Sequence, residues 1–261
     1  MDLIADKIAE VVGAVNDRFY RSNFQRFDAT RQRDWSGWLS LIEELPEGLV
    51  LNVLDLGCGN GRFAGFLSRS EQLSHRVMHF TGVDRSQELL ALASSQEFAF
   101  ETEWRAGDFF NPSMPAGVNL ITAFGVFHHI FSYERRLAFL WQNLDNLGPD
   151  GRLWVSLWDF ARDIERRAKF LDRDAVCKDL GIDVNQLEAH DYFLGFGQNK
   201  VPRFCHWVCD SELLRLKSDL RELANGKWSH CRLVVEELRR PNDLNHYLKF
   251  RKESFKGCFM S

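Results

Sequence analysis

The chain lacks any apolar run near the ~18 residues that a membrane-spanning helix requires, so no membrane partner is expected. Internal repeats and low-complexity segments are missing as well, which excludes solenoids and linker-like arrays. The opening MDLIADKIAEVVGAVNDRFY lacks the uninterrupted apolar core of a secretion signal. Instead, Ile4, Ile8, Val11, Val12, Val15 and Phe19 recur at helical spacing, broken by Asp6, Lys7 and Glu10, as in an amphipathic helix. In that setting the six cysteines, at 58, 177, 205, 209, 231 and 258, read as reduced thiols, and the expected location is the cytoplasm. A strong charge of either sign is also absent. The net charge is −4 with the acidic excess in the first 158 residues, so a polyanionic partner has to use a local basic patch.

What is present is ordinary globular composition, 45% apolar and 27% charged, over a length suited to one large domain or a core with an elaborated cap. Short apolar runs alternate with helical patterns from residue 50 onward. VLNVLDL (50–56) is a continuous apolar run, as in a strand buried on both faces. RFAGFLSRS, SQELLALASS with Ser86 as N-cap, and YERRLAFLWQNLDNL read as helices; VMHFTGVD, FETEWRAGD, VNLITAFGVF and GRLWVSLWD read as strands. Such alternation means parallel strands joined by crossover helices. Residues 160–210 read as helical and irregular, a helix SELLRLKSDLREL follows, and CRLVVEELRR with NHYLKFRK closes the chain as a hairpin.

The sharpest motif is VLDLGCGNGRF (53–63), a glycine loop between a buried strand and a helix. Gly57 and Gly59 allow a tight turn and close backbone approach, with Cys58 and Asn60 between and after them, and Gly61 opens the helix. Asp55 at the strand end suits an ammonium and repels a pyrophosphate, so the expected ligand carries an amino acid. Asp84 lies 27 residues beyond Gly57 at the end of the second strand, where an acidic side chain holds ribose hydroxyls; the alternative is a helix-capping role with Ser86. Asp108 in AGDFF can accept from an adenine amino group while Phe109 flanks the ring, or can simply make a turn.

These features together resemble the class I S-adenosylmethionine-dependent methyltransferases, over about residues 50–159. The resemblance implies an α/β Rossmann-like fold, a seven-stranded mostly parallel sheet with an antiparallel last strand, a helical N-terminal cap and a helical insertion after strand 5. It places Asp55, Gly57, Gly59 and Asn60 on the methionyl part of the cofactor, Asp84 and Arg85 on the ribose, and Asp108 with Phe109 on the adenine. Phe124 and Gly125, ending strand four, reach the place of the sulfonium. His128 and His129 follow at once; one of them meets the acceptor, or they pack and cap the next helix.

The leader together with GVFHHI, ERR, LGPDGRLWVSLW and RFCHWVCDSEL resembles the tRNA wobble-uridine carboxymethyl methyltransferases. That resemblance implies tRNA as acceptor and a small zinc-binding activator subunit as partner. The alternatives are a small carboxylic acid or natural product as acceptor, or a scaffold that has lost catalysis. A carboxylate acceptor is already ionised at neutral pH, so positioning matters more than a strong base. Arginine suits that grip, which makes Arg31, Arg33 and Arg203 candidates, each also readable as a surface ion pair. His206 joins Arg203 at the lid, where Tyr192, Phe193 and Phe196 either line it or pack the core. No metal is expected: neither the paired histidines nor the CHxxC of Cys205, His206 and Cys209 has the spacing of a zinc site. Residues 1–48 read as a helical cap over the active site, with Trp35 and Trp38 as roof and wedge, and residues 49–261 as the methyltransferase domain with a lid insertion at about 160–210.

Overall fold

The computed structural model describes residues 3–29, 33–46, 48–110, 113–197, 199–240 and 243–255. Five strands run parallel: β1 (Leu51–Leu56), β2 (Val77–Asp84), β3 (Glu101–Ala106), β4 (Leu120–Ala123) and β5 (Arg152–Trp158). Two more, β8 (Cys231–Arg239) and β9 (Asn245–Ser254), complete a seven-stranded sheet in the order β3-β2-β1-β4-β5-β9-β8, with β9 antiparallel to both its neighbours. The order reverses direction between β1 and β4, and that switch point opens a crevice at the carboxyl ends of the strands.

Alternate residues of each strand face opposite cores, which explains why the central strands are apolar throughout. Leu54 and Leu56 pack with Phe139, Leu140 and Leu144 of α5 (Tyr133–Asn146) and with Leu213, Leu216 and Leu220 of α8 (Asp210–Lys227). Leu51 and Val53 face the other way, against Trp38, Leu41 and Ile42 of α2 (Ser36–Glu43) and Phe63, Ala64 and Leu67 of α3 (Arg62–Arg69). The helix α4 (Gln87–Ser94) starts as its sequence implies, with the Ser86 hydroxyl accepting from the Leu89 N–H at 3.2 Å.

The leading helix α1 (Leu3–Ala29) is longer than the amphipathic pattern of its first twenty residues. Its buried stripe, Ile8, Val12, Val15 and Phe19, includes a polar residue, Asn16, whose amide exchanges two hydrogen bonds with the Phe204 backbone.

The segment between β5 and α8 departs from the helical reading. It holds two short helices, α6 (Ile164–Arg167) and α7 (Arg173–Leu180), and then a two-stranded antiparallel sheet, β6 (Asp191–Phe196) with β7 (Val201–His206). A buried ionic network joins this insertion to the core. Arg136 of α5, with no exposed surface, donates to Glu188 at 2.5 Å, to Glu212 at 2.7 Å and to the Ile130 carbonyl. His206 bridges Asp191 and Glu212, at 2.7 Å each.

Candidate active site

A cavity of about 1630 Å³ opens at the carboxyl ends of β1 to β5, between α1 and the β6–β7 insertion. It exceeds the ~300–1,000 Å³ of an ordinary small-ligand pocket, so it has room for a nucleoside-sized group beside a cofactor.

The β1 end of the cavity is built by the glycine loop. Gly57 has φ +71°, and a Cβ there would lie 2.1 Å from the Val126 side chain, so no other residue fits this turn. Gly61, the N-cap of α3 at φ +76°, lies against Ala93 and Trp104, where a Cβ would come within 3.1 Å of both. Most of the loop's own N–H groups are spent internally. Gly57 and Cys58 donate to the Val83 carbonyl, Gly59 to Asp84 and Gly61 to the Cys58 carbonyl. The first helical bond of α3 is Gly65 N–H to the Gly61 carbonyl, so the N–H groups just before it are the ones a ligand carboxylate can take.

Asp55 lies at the tip of β1, 3% exposed, and accepts from the Thr122 hydroxyl at 2.6 Å. Burial lifts its carboxyl to about 7, the Thr122 bond and the Arg62 charge working against the rise and Asp84 adding to it. A ligand ammonium is the group that would return it to the ionised form. Asp84 combines its two sequence readings: it accepts from the Gly59 N–H and the Ser86 N–H, 2.8 Å each, and still lines the cavity. Burial raises its carboxyl too, against those backbone bonds. Asp108 likewise makes a turn, accepting from Phe110 N–H at 2.9 Å, while its other oxygen takes Arg85 at 2.5 Å. Arg85 also reaches Asp17 of α1, which ties the leading helix to the ribose and adenine side of the site. Asn60 does the same near the loop, donating to Asp28. The Cys58 thiol is buried below the loop, and burial pushes it well above its ordinary value, which favours the protonated form.

Opposite the loop lie Phe124, Gly125 and the two histidines, on the turn that follows β4. His129 is not a free base. Its Nε2 lies 2.8 Å from the Tyr20 hydroxyl and its Nδ1 2.9 Å from the Phe204 carbonyl, so a neutral ring donates from Nδ1 and accepts from Tyr20. Burial, then the Arg203 charge, push its pKa down to about 3. His128 is buried in the cavity wall, its ring 5.1 Å from that of Trp158. Ligand atoms of His128, His129 and Cys205 lie within 4.8 Å of one another, a cluster that sequence spacing could not show. The Cys205 thiol is pushed up to about 11 by burial and sits beside the Arg203 guanidinium, an unfavourable setting for a cation.

The arginine assignments need correction. Arg31 lies outside the described residues. Arg33 is exposed and is not among the residues that line the cavity; only its carbonyl takes part nearby, accepting from Arg62 at 3.1 Å. Arg62, which sequence reasoning passed over as an ordinary helix residue, lines the cavity instead and lies over the Trp35 ring at 4.9 Å. Trp35 and Trp38 both line the cavity, as their readings had it; Trp35 is partly exposed, whereas Trp38 is 1% exposed and packs on Trp35, Phe63 and Phe124.

On β7, Arg203 and His206 are an odd number of residues apart and therefore face opposite sides. Arg203 lines the cavity; His206 is turned into the ionic network and does not reach the substrate side. Of the aromatic trio, Phe196 lines the cavity, Phe193 is core, and Tyr192 packs on Phe170. Asn16 and Tyr20 of α1 were missed. The available signal was a pair of polar residues spaced by four on the helix face that carries the apolar stripe.

Charge divides the cavity. Asp55, Asp84 and Asp108 mark the loop side, while Arg166, Lys169 and Arg203 of the insertion line the other; Arg21 of α1 lies within electrostatic reach of Glu88, on the loop side. None of the three insertion cations has a carboxylate within ion-pair distance among the described residues, unlike Arg85 and Arg135, which pair with Asp17, Asp108 and Asp6.

Comparison with known proteins agrees with this geometry. Residues 53–151 match the family model described as a methyltransferase domain. The chain is 28% identical over 147 residues to the tRNA (carboxymethyluridine(34)-5-O)-methyltransferase ALKBH8 of Macaca fascicularis, covering 56% of this chain and 20% of that protein. It is 26% identical over 142 residues to a tRNA (carboxymethyluridine(34)-5-O)-methyltransferase of Arabidopsis thaliana, covering 54% and 32%. The matches thus span a third or less of those relatives' length. A solved S-adenosylmethionine-dependent methyltransferase of Methanosarcina mazei superposes with a TM-score of 0.58 at 16% identity, covering 84% of this chain and 99% of that one. Among the described residues, no helix is long and apolar enough to cross a membrane.

Proposed function

We propose that this S-adenosylmethionine-dependent methyltransferase acts on tRNA, esterifying the carboxymethyl group of a wobble uridine. The observation that carries the reading is the divided cavity: a cofactor side marked by Asp55, Asp84 and Asp108, and an acceptor side where Arg166, Lys169 and Arg203 are in no ion pair with a described residue. That arrangement suits an anionic acceptor on a polyanionic chain. The names of the two carboxymethyluridine relatives support the same acceptor.

The residues present fit the cofactor. Gly57 and Gly61 let the loop pack tightly on Val126, Trp104 and Ala93 at the cavity's edge, Asp55 is a buried carboxyl awaiting a cation, and Asp84 keeps unused acceptor capacity toward the cavity. Asp55 would hold the ammonium, the start of α3 the carboxylate, Asp84 the ribose, and Asp108 with Phe109 the adenine. When bound, S-adenosylmethionine supplies an electrophilic methyl on a sulfonium and leaves as a neutral thioether. The acceptor oxygen needs no proton removed, which agrees with a site whose His129 stays neutral and fully bonded. The chain's contribution is alignment and exclusion of water: α1 roofs the cavity through Tyr20, Asn16 and Asp17, and Trp35 covers the side nearest Gly125.

The same roof favours a second reading, a small carboxylic acid or natural product enclosed as acceptor, because α1 is held down along its length. Incubation with methyl-labelled S-adenosylmethionine, bulk tRNA and a metabolite extract separates the two. Label in tRNA, with or without an added small zinc-binding activator subunit, supports the first; label confined to the small-molecule fraction refutes it.

A further inference from the structure

Arg203 is 8% exposed, projects from β7 into the cavity, and is in no ion pair with any described residue. Its guanidinium carbon lies over the ring of Phe19 and over that of Trp158, 5.0 Å from each centroid, so aromatic surfaces hold its faces. It bonds the Tyr20 hydroxyl and the Cys205 sulfur, while its Nε–H is buried without a hydrogen-bond partner. A guanidinium taken out of water with neither a carboxylate nor a full set of acceptors is costly to the fold. The expense is reasonable only if something arrives to complete it. The neighbours favour an acceptor over a structural partner: His128 packs on the same Trp158, and His129, whose Nε2 meets Tyr20, closes the site from the β4 side.

We infer that Arg203 is the residue that selects the acceptor, gripping the carboxylate of the group to be methylated with a cavity-lining guanidinium whose donors are not all taken and whose faces are fixed by Phe19 and Trp158. The inference rests on the carboxylate-acceptor reading above and adds the residue that reads the charge. A planar fork matches a planar carboxylate, and one carboxylate oxygen can be held while the other is left to attack the methyl. Arg166 and Lys169, more exposed than Arg203 on the same insertion, are then left for the phosphates flanking the acceptor. A carboxamide in place of the carboxylate presents an N–H to this donor-only group and is rejected.

The test measures binding. With S-adenosylhomocysteine saturating, calorimetry compares 5-carboxymethyluridine with its carboxamide counterpart on the wild type and on Arg203→Met and Arg203→Lys. The wild type should prefer the carboxylate by about tenfold or more, Arg203→Met should lose that preference, and Arg203→Lys should keep only part of it, all three binding S-adenosylhomocysteine within about twofold of one another. A preference that survives in Arg203→Met, or is absent from the wild type, overturns the assignment. Should Arg203→Met not fold, an Arg203→Lys protein with undiminished preference overturns it equally, because a point charge cannot reproduce the fork. Wild-type methyl transfer to tRNA is assayed in parallel. Transfer without an Arg203-dependent preference leaves the RNA reading standing and removes this one; the preference without transfer does the reverse.

Discussion

Asp55 shows how one buried side chain couples proton and ligand. Its carboxyl, lifted to about 7 by burial, is largely protonated in mildly acid solution, yet only the carboxylate can hold an ammonium. The free folded protein therefore binds more protons than the unfolded chain between about 4 and 7, so the stability contributed by Asp55 falls as pH rises through that window. Cofactor affinity runs the other way. Calorimetric titration should show S-adenosylmethionine binding weakening by up to about tenfold per unit as pH drops below about 7, and weakening again in alkali as the ligand's ammonium, with an ordinary pKa of ~8, loses its proton; Asp55→Asn should be weak at every pH. The sequence announced this carboxylate because its position ahead of the glycine loop already specifies it. It could not announce Arg62 over Arg33, since which arginine meets Trp35 depends on how α2 packs on α3. The swap at β7 is different: strand alternation alone would have separated Arg203 from His206, had residues 201–206 been read as a strand.

At the level of elements, the insertion and α1 share an apolar core of Ile8, Val12, Phe193 and Phe204, and buried polar contacts fix how they attach. Arg136 is the centre of the insertion's attachment, with Glu188 and Glu212 around it. Replacing it by Met leaves Glu188 and Glu212 with His206 as their remaining cationic partner, and urea unfolding should show a loss of about 3 kcal/mol. His206 gives a pH dependence of opposite sign to that of acid-labile carboxylates. Burial opposes its charge, but bonds to Asp191 and Glu212 outweigh burial and hold its pKa above the ordinary histidine range. Its contribution is complete below the ordinary value near 6.5 and is lost as pH rises through the raised one. Hydrogen exchange in β6 and β7 should accelerate in alkali before β1 to β5 respond, and Glu212→Gln should move that acceleration to lower pH. The strands and crossover helices were legible because each carries its own period. The β6–β7 hairpin was not, because a short two-stranded sheet with a glycine-rich turn leaves too little alternation to separate it from loop.

For the whole molecule, the order β3-β2-β1-β4-β5-β9-β8 places every cofactor candidate at one edge of one sheet, although they come from four separate strands and their loops. That convergence follows from the alternation of strands and helices, and it was readable. The division of charge across the cavity was not, because a net charge of −4 hides Arg166, Lys169 and Arg203 of the insertion, which are in no ion pair with a described residue. The most direct measurement is nucleoside analysis of tRNA carrying 5-carboxymethyluridine at the wobble position, after incubation with the protein and methyl-labelled cofactor. The expected result is label on that nucleoside alone, as a methyl ester that mild alkali removes. Label on any other nucleoside, or in a form that survives alkali, contradicts the account.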